Sequence, residues 1–194
     1  MIAYINGEVS LITPTHVYID INGLGYHVNI SLQTFSKIET ATKVKLWTYL
    51  HVKEDSQTLF GFFDQDERAV FQHLLSVSGI GPNTARVILS GMSSSEVRQS
   101  IANETVMAFN KVKGVGPKTA KRIILDLKDK IIKEGLSAEV SPLDVANPVP
   151  EEATTALIAL GFQRNQIKKS IDKFYSAGMT VEELIKAVLQ QVSR

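Results

Sequence analysis

Two segments of the chain, 35 positions apart, share one pattern of glycine, proline and small residues. Val77–Arg86 has the sequence VSGIGPNTAR, and Val112–Lys121 has the sequence VKGVGPKTAK. In each copy an apolar stretch precedes the two glycines, and a proline suited to the first helical turn opens a second stretch rich in Ala, Ile and Leu. The repeat therefore predicts two consecutive helix–hairpin–helix units.

A Gly-x-Gly turn at the start of a helix is suited to binding an anion. Glycine permits positive φ and close approach of a ligand, while the unpaired N–H groups at the helix N-terminus face outward. The expected anion is a phosphate of a nucleic-acid backbone. Such binding does not read the bases, and its affinity falls steeply as the salt concentration rises. A single turn of this kind is equally well explained as a tight connection between helices, but its duplication favours binding.

The predicted backbone-binding residues occupy equivalent positions in the two copies. Ile80 and Val115, which lie between the glycines, are expected to turn their side chains inward and to contribute through the backbone. The full predicted set is Gly79, Ile80, Gly81, Asn83, Thr84 and Arg86 in the first copy and Gly114, Val115, Gly116, Lys118, Thr119 and Lys121 in the second.

Basic charge is concentrated around the second copy. The 194 residues include 21 Lys and Arg against 20 Asp and Glu, a formal net charge of +1, which excludes a globally basic protein that coats nucleic acid. Positions 111–133 alone hold eight Lys or Arg and two Asp. We therefore expect one strongly basic face on a nearly neutral protein.

The composition excludes several classes of site. With no cysteine and four histidines, the chain has no disulfide framework, cysteine-based zinc finger or thiol nucleophile, and no metal or cofactor is predicted. No basic N-terminal region precedes a long apolar stretch, and no run of about 18 apolar residues occurs. We expect a cytoplasmic protein that does not associate with a membrane.

The hydrophobic pattern divides the chain into four parts and predicts a multidomain α+β protein. Residues 1–63 alternate with the period of strands and predict a five-stranded OB-fold barrel, although an SH3-like barrel fits the same period. Residues 64–134 have a helical period and form the tandem hairpin domain. Residues 135–150 are rich in Gly, Ser and Pro and predict a flexible linker, and residues 151–194 predict a three-helix bundle.

Helix starts are predicted where a capping residue precedes a glutamate by three positions. These pairs are Asp64 with Glu67, Ser93 with Glu96, and Thr180 with Glu183.

Several short motifs together resemble one protein family across the whole chain. They are Met1-Ile2, Gly23-Leu24-Gly25-Tyr26, Lys53-Glu54-Asp55-Ser56-Gln57, Leu59-Phe60-Gly61-Phe62, both Gly-x-Gly-Pro hairpins, Leu89-Ser90-Gly91-Met92, and Ala156-Leu157-Ile158-Ala159-Leu160-Gly161-Phe162. The chain resembles the RuvA family, the Holliday-junction-binding subunits of the bacterial branch-migration machinery. Hairpin pairs occur in many DNA-repair proteins, so the specificity of the match comes from their union with this barrel and this tail.

The resemblance implies a non-enzymatic subunit that binds four-way junction DNA in recombination and repair. It implies a homotetramer and leaves open whether a second tetramer joins it to form an octamer on DNA. It also implies recruitment of the hexameric RuvB ATPase, with the RuvC resolvase as a further candidate partner. It also implies that Glu54 and Asp55 form an acidic pin near the junction centre. The pattern alone would make this pair a solvated turn.

The C-terminal bundle, which also resembles ubiquitin-associated domains, is implied to bind the ATPase. The predicted partner surface consists of Leu157, Leu160 and Phe162, although apolar residues at such spacing are otherwise core residues of a small bundle.

Two other functions fit parts of the sequence. A single-strand- or duplex-binding accessory protein would use the barrel, but its aromatics Tyr4, Tyr18, Tyr26, Trp47 and Tyr49 show no clear stacking series. A structure-selective nuclease or glycosylase would need a catalytic constellation, and none is visible.

Overall fold

The computed structural model describes residues 2–139, 149–162, 164–176 and 178–192. The chain divides into two compact units, Met1–Gly135 and Leu136–Arg194. The first unit contains the barrel and the hairpin helices, and the second contains the C-terminal bundle.

The N-terminal strands close into a five-stranded barrel of OB-like topology. Its elements are β1 (Tyr4–Ile12), β2 (His16–Ile21), β3 (Leu24–Ile30), α1 (Leu32–Ile38), β4 (Lys43–Val52) and β5 (Gln57–Phe62). The strands pair around the barrel in the order β1, β2, β3, β5, β4, and only β3 with β5 is parallel. This order confirms the predicted OB-type barrel over the SH3-like alternative.

Alternating side chains fill the barrel, as the strand period predicts. Val17 and Ile19 from β2 and Val28 and Ile30 from β3 are all buried. Asn22 and Gly23 form the turn of the β2–β3 hairpin, with φ of 53° and 87°. Two successive positive φ values are typical of a type I′ turn, whose twist matches that of the flanking strands.

Helix α1 was not predicted. It spans seven residues, which is too short for a helical period to stand out against the strands around it. Its start is fixed by Ser31, whose Oγ accepts a hydrogen bond from the Thr34 N–H at 3.0 Å. The helix bridges β3 and β4 and places Thr34 and Ile38 in the interior.

The regular elements of the hairpin region are all helices, and they enclose a core that they share with the last strand of the barrel. Its helices are α2 (Gln65–Leu75), α3 (Pro82–Gly91), α4 (Ser94–Ala102), α5 (Val106–Asn110) and α6 (Pro117–Glu139). Phe71, Leu74, Ile88, Leu89 and Phe109 are fully buried in this core. Phe60 and Phe62 of β5 belong to the same cluster, so the barrel and the helices are joined by continuous apolar packing.

The structure differs from the predicted linker at both of its ends. Helix α6 continues to Glu139 and α7 begins at Val149, so both ends of the predicted range 135–150 are helical. The prediction gave too much weight to Gly135 and Ser137, which weaken a helix without ending it when good helix formers surround them. Residues 140–148 lie outside the described residues.

The second unit is a three-helix bundle, as predicted. Its helices are α7 (Val149–Ala159), α8 (Arg164–Phe174) and α9 (Val181–Val192). They enclose Ala153, Leu157, Ile167, Ile171, Leu184 and Val188. None of the helices within the described ranges is long and apolar enough to cross a membrane.

Candidate nucleic-acid interface

The two Gly-x-Gly hairpins have the same backbone geometry. The Ile80 N–H donates to the Val77 carbonyl at 3.1 Å, and the Val115 N–H donates to the Val112 carbonyl at the same distance. Helices α3 and α6 then begin with equivalent bonds, from Ala85 to Gly81 at 3.0 Å and from Ala120 to Gly116 at 2.9 Å. The sequence repeat is therefore a structural repeat.

The glycines in each hairpin serve two different purposes. Gly79 and Gly114 have φ of 93° and 89°, values that residues with a Cβ atom rarely adopt. Gly81 caps α3 with φ of −93°, which any residue adopts. Apart from its chain neighbours, no atom of the described residues lies within 4 Å of a Cβ added at Gly81 or at Gly116, so these positions leave open space in front of the helix N-terminus.

Ile80 and Val115 anchor the hairpins in the core. Their side chains are only 6% and 5% exposed, which confirms the expected inward packing. Any contact that these two residues make with a phosphate must come from their backbone.

Exposed polar residues surround the two helix N-termini. Asn83, Lys118 and Lys121 are exposed, and Thr84 and Thr119 are half-buried. The first N–H groups of α3 and α6 have no intrahelical acceptor and carry the positive end of each helix dipole. Each hairpin can therefore bind an anionic oxygen, and the second adds two lysine charges.

Arg86 has a partner that the repeat did not predict. Its Nη1 donates to the carbonyl oxygen of Thr15 at 2.9 Å, which joins α3 to the β1–β2 loop of the barrel. Burial lowers the pKa of the Arg86 guanidinium. Lys121 is the equivalent residue of the second copy and is exposed, so the two copies differ at this position.

Arg122 links the two hairpins and was missed as a site residue. Its Nη1 donates to the carbonyl oxygen of Ser78, in the first hairpin, at 3.3 Å. The signal in the sequence was its place in the basic segment 111–133, but nothing local indicated a partner 44 positions away.

Glu54 and Asp55 lie at the tip of the β4–β5 hairpin. The turn is closed by a bond from the Lys53 N–H to the Ser56 carbonyl at 2.8 Å, and Ser56 Oγ donates to Asp55 Oδ1 at 3.2 Å. Both carboxylates are exposed. The turn thus presents two negative charges at one end of the barrel.

The end of α7 presents an apolar patch that differs from the predicted one. Leu157 is fully buried, so the prediction that it belongs to an exposed partner surface is wrong. Leu160 is 62% exposed, Ile158, which was not predicted, is 42% exposed, and Phe162 is half-buried. The exposed patch therefore consists of Ile158 and Leu160, with Phe162 at its edge.

A Schellman motif explains this division. The Phe162 N–H donates to the Leu157 carbonyl at 3.1 Å and the Gly161 N–H to the Ile158 carbonyl at 2.9 Å, with Gly161 at φ of 96°. The motif brings Phe162 back towards Leu157, which faces the core, and leaves Leu160 at the turn pointing outward.

Acidic and histidine side chains form no metal-binding group in the part of the chain that the structure describes. No three of them lie close enough together to hold an ion.

Three family models match the chain, one in each of its three regions. The family model described as "RuvA N terminal domain" matches residues 1–61, "SAM-like Helix-hairpin-helix tandem" matches 71–129, and "RuvA, C-terminal domain" matches 148–193.

Relatives named "Holliday junction branch migration complex subunit RuvA" match over their full length. The protein of Cytophaga hutchinsonii is 47% identical, with 98% of this chain and 99% of the relative covered. Those of Christiangramia forsetii and Flavobacterium psychrophilum are 45% and 42% identical, each covering 99% of this chain and 100% of the relative. The chain belongs to the RuvA family.

Proposed function

We propose that this protein binds four-way Holliday-junction DNA, independently of sequence, as a non-catalytic subunit of a branch-migration complex. The observation that carries the proposal is the duplicated hairpin, in which two helix N-termini of equal geometry face outward and are joined by Arg122. Family membership supplies the four-way junction as the form of DNA, because the relatives are named for it.

The two hairpins bind the phosphate backbones of one duplex arm. Backbone N–H groups in the turns Gly79–Gly81 and Gly114–Gly116 donate hydrogen bonds to phosphate oxygens, while Lys118 and Lys121 add charge. Asn83, Thr84 and Thr119 are further contacts, and Arg86 acts at the seam with the barrel. None of these groups reads a base edge, so binding is independent of sequence.

Glu54 and Asp55 select the junction over continuous duplex. Two exposed carboxylates repel the phosphates of a duplex that would pass over them, whereas the open centre of a junction accommodates them. The same repulsion helps to keep strands apart at the crossover.

Assembly multiplies the binding face. The chain is nearly neutral, so strong binding of a polyanion requires several copies of the basic hairpin surface, and a homotetramer supplies one copy for each arm. We assign the barrel to residues 1–63, the hairpin domain to residues 64–139 and the partner domain to residues 149–194. The patch of Ile158 and Leu160 contacts the hexameric RuvB ATPase, which hydrolyses ATP and drives branch migration in the cytoplasm.

A gel-shift titration tests the proposal. A four-way junction, a duplex and a single strand of equal length are titrated without nucleotide at two salt concentrations. We expect the junction to bind at least tenfold more tightly than the duplex, and all binding to weaken as salt rises. Equal affinity for junction and duplex would reduce the protein to a general backbone binder, and preference for the single strand would favour a barrel-based accessory protein.

A further inference from the structure

Glu67 is a buried carboxylate that the DNA-binding surface does not use. It lies in the first turn of α2 and is only 3% exposed. One carboxylate oxygen accepts a hydrogen bond from Ser31 Oγ, and the other accepts a bond of 2.7 Å from Thr34 Oγ1. Ser31 and Thr34 are also buried, at 1% and 0% exposure. The group belongs to the hairpin domain, and its partners belong to the barrel.

The two hydroxyls extend the contact into the backbone of the barrel. Ser31 Oγ caps α1 by accepting from the Thr34 N–H at 3.0 Å. Thr34 Oγ1 accepts from the Phe63 N–H at 3.1 Å, where the chain leaves β5 and enters α2. One carboxylate therefore holds the start of α1 and the crossing between the two domains in a single network. We call Glu67, Ser31 and Thr34 the seam network.

Other polar contacts along the same seam are more exposed. Lys37 pairs with Asp64 at 2.9 Å with both side chains over 40% exposed, and the Leu32 N–H donates to Ser90 Oγ at 3.1 Å in an exposed bond. Exposed pairs of this kind contribute little to stability and resist deformation weakly. The seam network is the one fully buried polar contact between the barrel and the helices among those described.

A buried carboxylate is a poor choice if stability alone matters. Its desolvation cost is offset only while its hydrogen bonds are intact, and a well-packed apolar residue often stabilises as much or more. Unlike apolar packing, its hydrogen bonds are directional, so they allow a single relative orientation of the groups that they join. This points to orientation as the role of Glu67.

We propose that Glu67 is a positioning residue, which fixes the orientation of the barrel, and with it the acidic turn at Glu54 and Asp55, relative to the two hairpins. The proposal rests on the proposed function in one respect, that the acidic turn selects the junction. Repulsion between charges falls with distance, so a turn that moves relative to the bound arms loses selectivity. The hairpins keep their own geometry and their own contacts with the backbone, so duplex affinity changes only through the repulsion that the displaced turn no longer exerts.

The test measures orientation and selectivity separately. The chain has no cysteine, so Gln57→Cys beside the turn and Gln99→Cys on α4 place two spin labels at exposed positions of the barrel and the hairpin domain. Labelled full-length chains are mixed with an excess of unlabelled ones, so that only distances within one subunit contribute. The distance distribution is then compared among variants, together with the ratio of junction to duplex affinity in the unlabelled proteins.

The variants separate positioning from general destabilisation. Glu67→Ala removes the network, Glu67→Gln keeps its shape and one acceptor oxygen, and Thr34→Val removes one hydroxyl. Glu96→Ala is the matched control, because Glu96 caps α4 together with Ser93, outside the seam, and its loss costs a helix cap without touching Glu67.

We expect Glu67→Ala to broaden the distance distribution and to lower the junction-to-duplex ratio about fivefold to tenfold, mainly by raising duplex affinity. Thr34→Val should change the distance distribution and the affinity ratio in the same direction but by less, which keeps the test decisive should Glu67→Ala fold poorly. In Glu67→Gln and Glu96→Ala, both quantities should stay close to those of the unmodified protein. A narrow distribution in Glu67→Ala and Thr34→Val, or a broad one with an unchanged ratio, would overturn the proposal. If the unmodified protein itself shows no junction preference, the proposed function fails and the selectivity role fails with it, while the distances still decide the orientation role.

Discussion

Arg122 Nη1 donates a hydrogen bond to the carbonyl oxygen of Ser78 at 3.3 Å, so the helix that follows the second hairpin is bonded to the first hairpin. The bond joins the two Gly-x-Gly turns, which under the proposed function meet the two strands of one duplex. A side chain that lies in neither turn therefore links the two hairpins.

Loss of the bond between Arg122 and Ser78 should weaken DNA binding. Arg122→Ala should lower duplex affinity about tenfold, because it removes one cation and also loosens the spacing of the hairpins. Fluorescence anisotropy with a labelled duplex measures the loss. Lys128→Ala is the control, because Lys128 lies on the same helix, pairs with Glu104 and removes the same charge away from the hairpins. Equal losses in the two variants would show that Arg122 acts through its charge alone.

Substitutions at the two kinds of hairpin glycine should distinguish backbone strain from blocked access of the phosphate. Gly79→Ala forces a Cβ into φ of 93° and should cost about 1–2 kcal/mol of unfolding free energy. Gly81→Ala at φ of −93° should change stability by less than about 0.5 kcal/mol, yet weaken DNA binding, since its Cβ occupies the open space where a phosphate approaches. Urea denaturation and DNA titration check the two effects. Unchanged DNA affinity in Gly81→Ala would place the phosphate elsewhere.

The acidic turn should influence selectivity without influencing folding. Glu54→Gln combined with Asp55→Asn is expected to retain junction binding, to raise duplex affinity severalfold by removing repulsion, and to alter the rate of branch migration with the ATPase. Both side chains are exposed, so the melting temperature should not change. Glu39→Gln removes an exposed carboxylate elsewhere on the barrel as a control. Unaltered selectivity together with unaltered branch migration would remove the pin assignment.

The end of α7 should separate partner binding from folding. Leu160→Glu changes a side chain that is 62% exposed and should abolish most binding to the ATPase while leaving the bundle folded. Leu157→Ala creates a cavity in the core and should destabilise the bundle by about 2–5 kcal/mol. Pull-down with the ATPase and thermal unfolding by circular dichroism distinguish the two. Full partner binding by Leu160→Glu would exclude the exposed patch as the contact surface.

Glu67 should make stability depend on pH. Burial raises the pKa of its carboxyl above the usual 4.5, against the opposing effect of the hydrogen bonds from Ser31 and Thr34. The folded protein therefore binds this proton more tightly than the unfolded chain. As pH rises from about 4.5 through the raised pKa, the unmodified protein loses unfolding free energy relative to Glu67→Gln, which does not titrate.

Denaturation midpoints of the two proteins, measured in parallel from pH 4.5 to pH 7.5, check this sign. The pKa of Asp64 is also shifted: burial would raise it, but the Glu67 N–H and Lys37 lower it on balance. Asp64 titrates in both proteins, and its negative charge is one of the causes that raise the pKa of Glu67. A difference that stays constant with pH would contradict the raised pKa of Glu67.

Local features of the chain were predicted from sequence because they depend on neighbouring residues. Positive φ at Gly79 and Gly114 and the reciprocal caps at Ser93 and Thr180 are all set within a few positions. The alternation of the strands and the helical periods also report directly on which face is buried. For these reasons the barrel, the tandem hairpins and the three-helix bundle could be predicted.

Partners distant in the chain required the tertiary structure. The spacing of Asp64 and Glu67 predicted a helix start, and Asp64 does accept from the Glu67 N–H at 2.8 Å, but the Glu67 side chain turns away to residues 33 and 36 positions earlier. Arg86 and Arg122 likewise bond to carbonyls 71 and 44 positions away. Spacing along the sequence reports which local bonds a side chain can make, whereas packing decides which of its possible partners is near and shielded from water. Packing buries Leu157, leaves Leu160 exposed, and makes Glu67 part of the seam between the barrel and the hairpin domain.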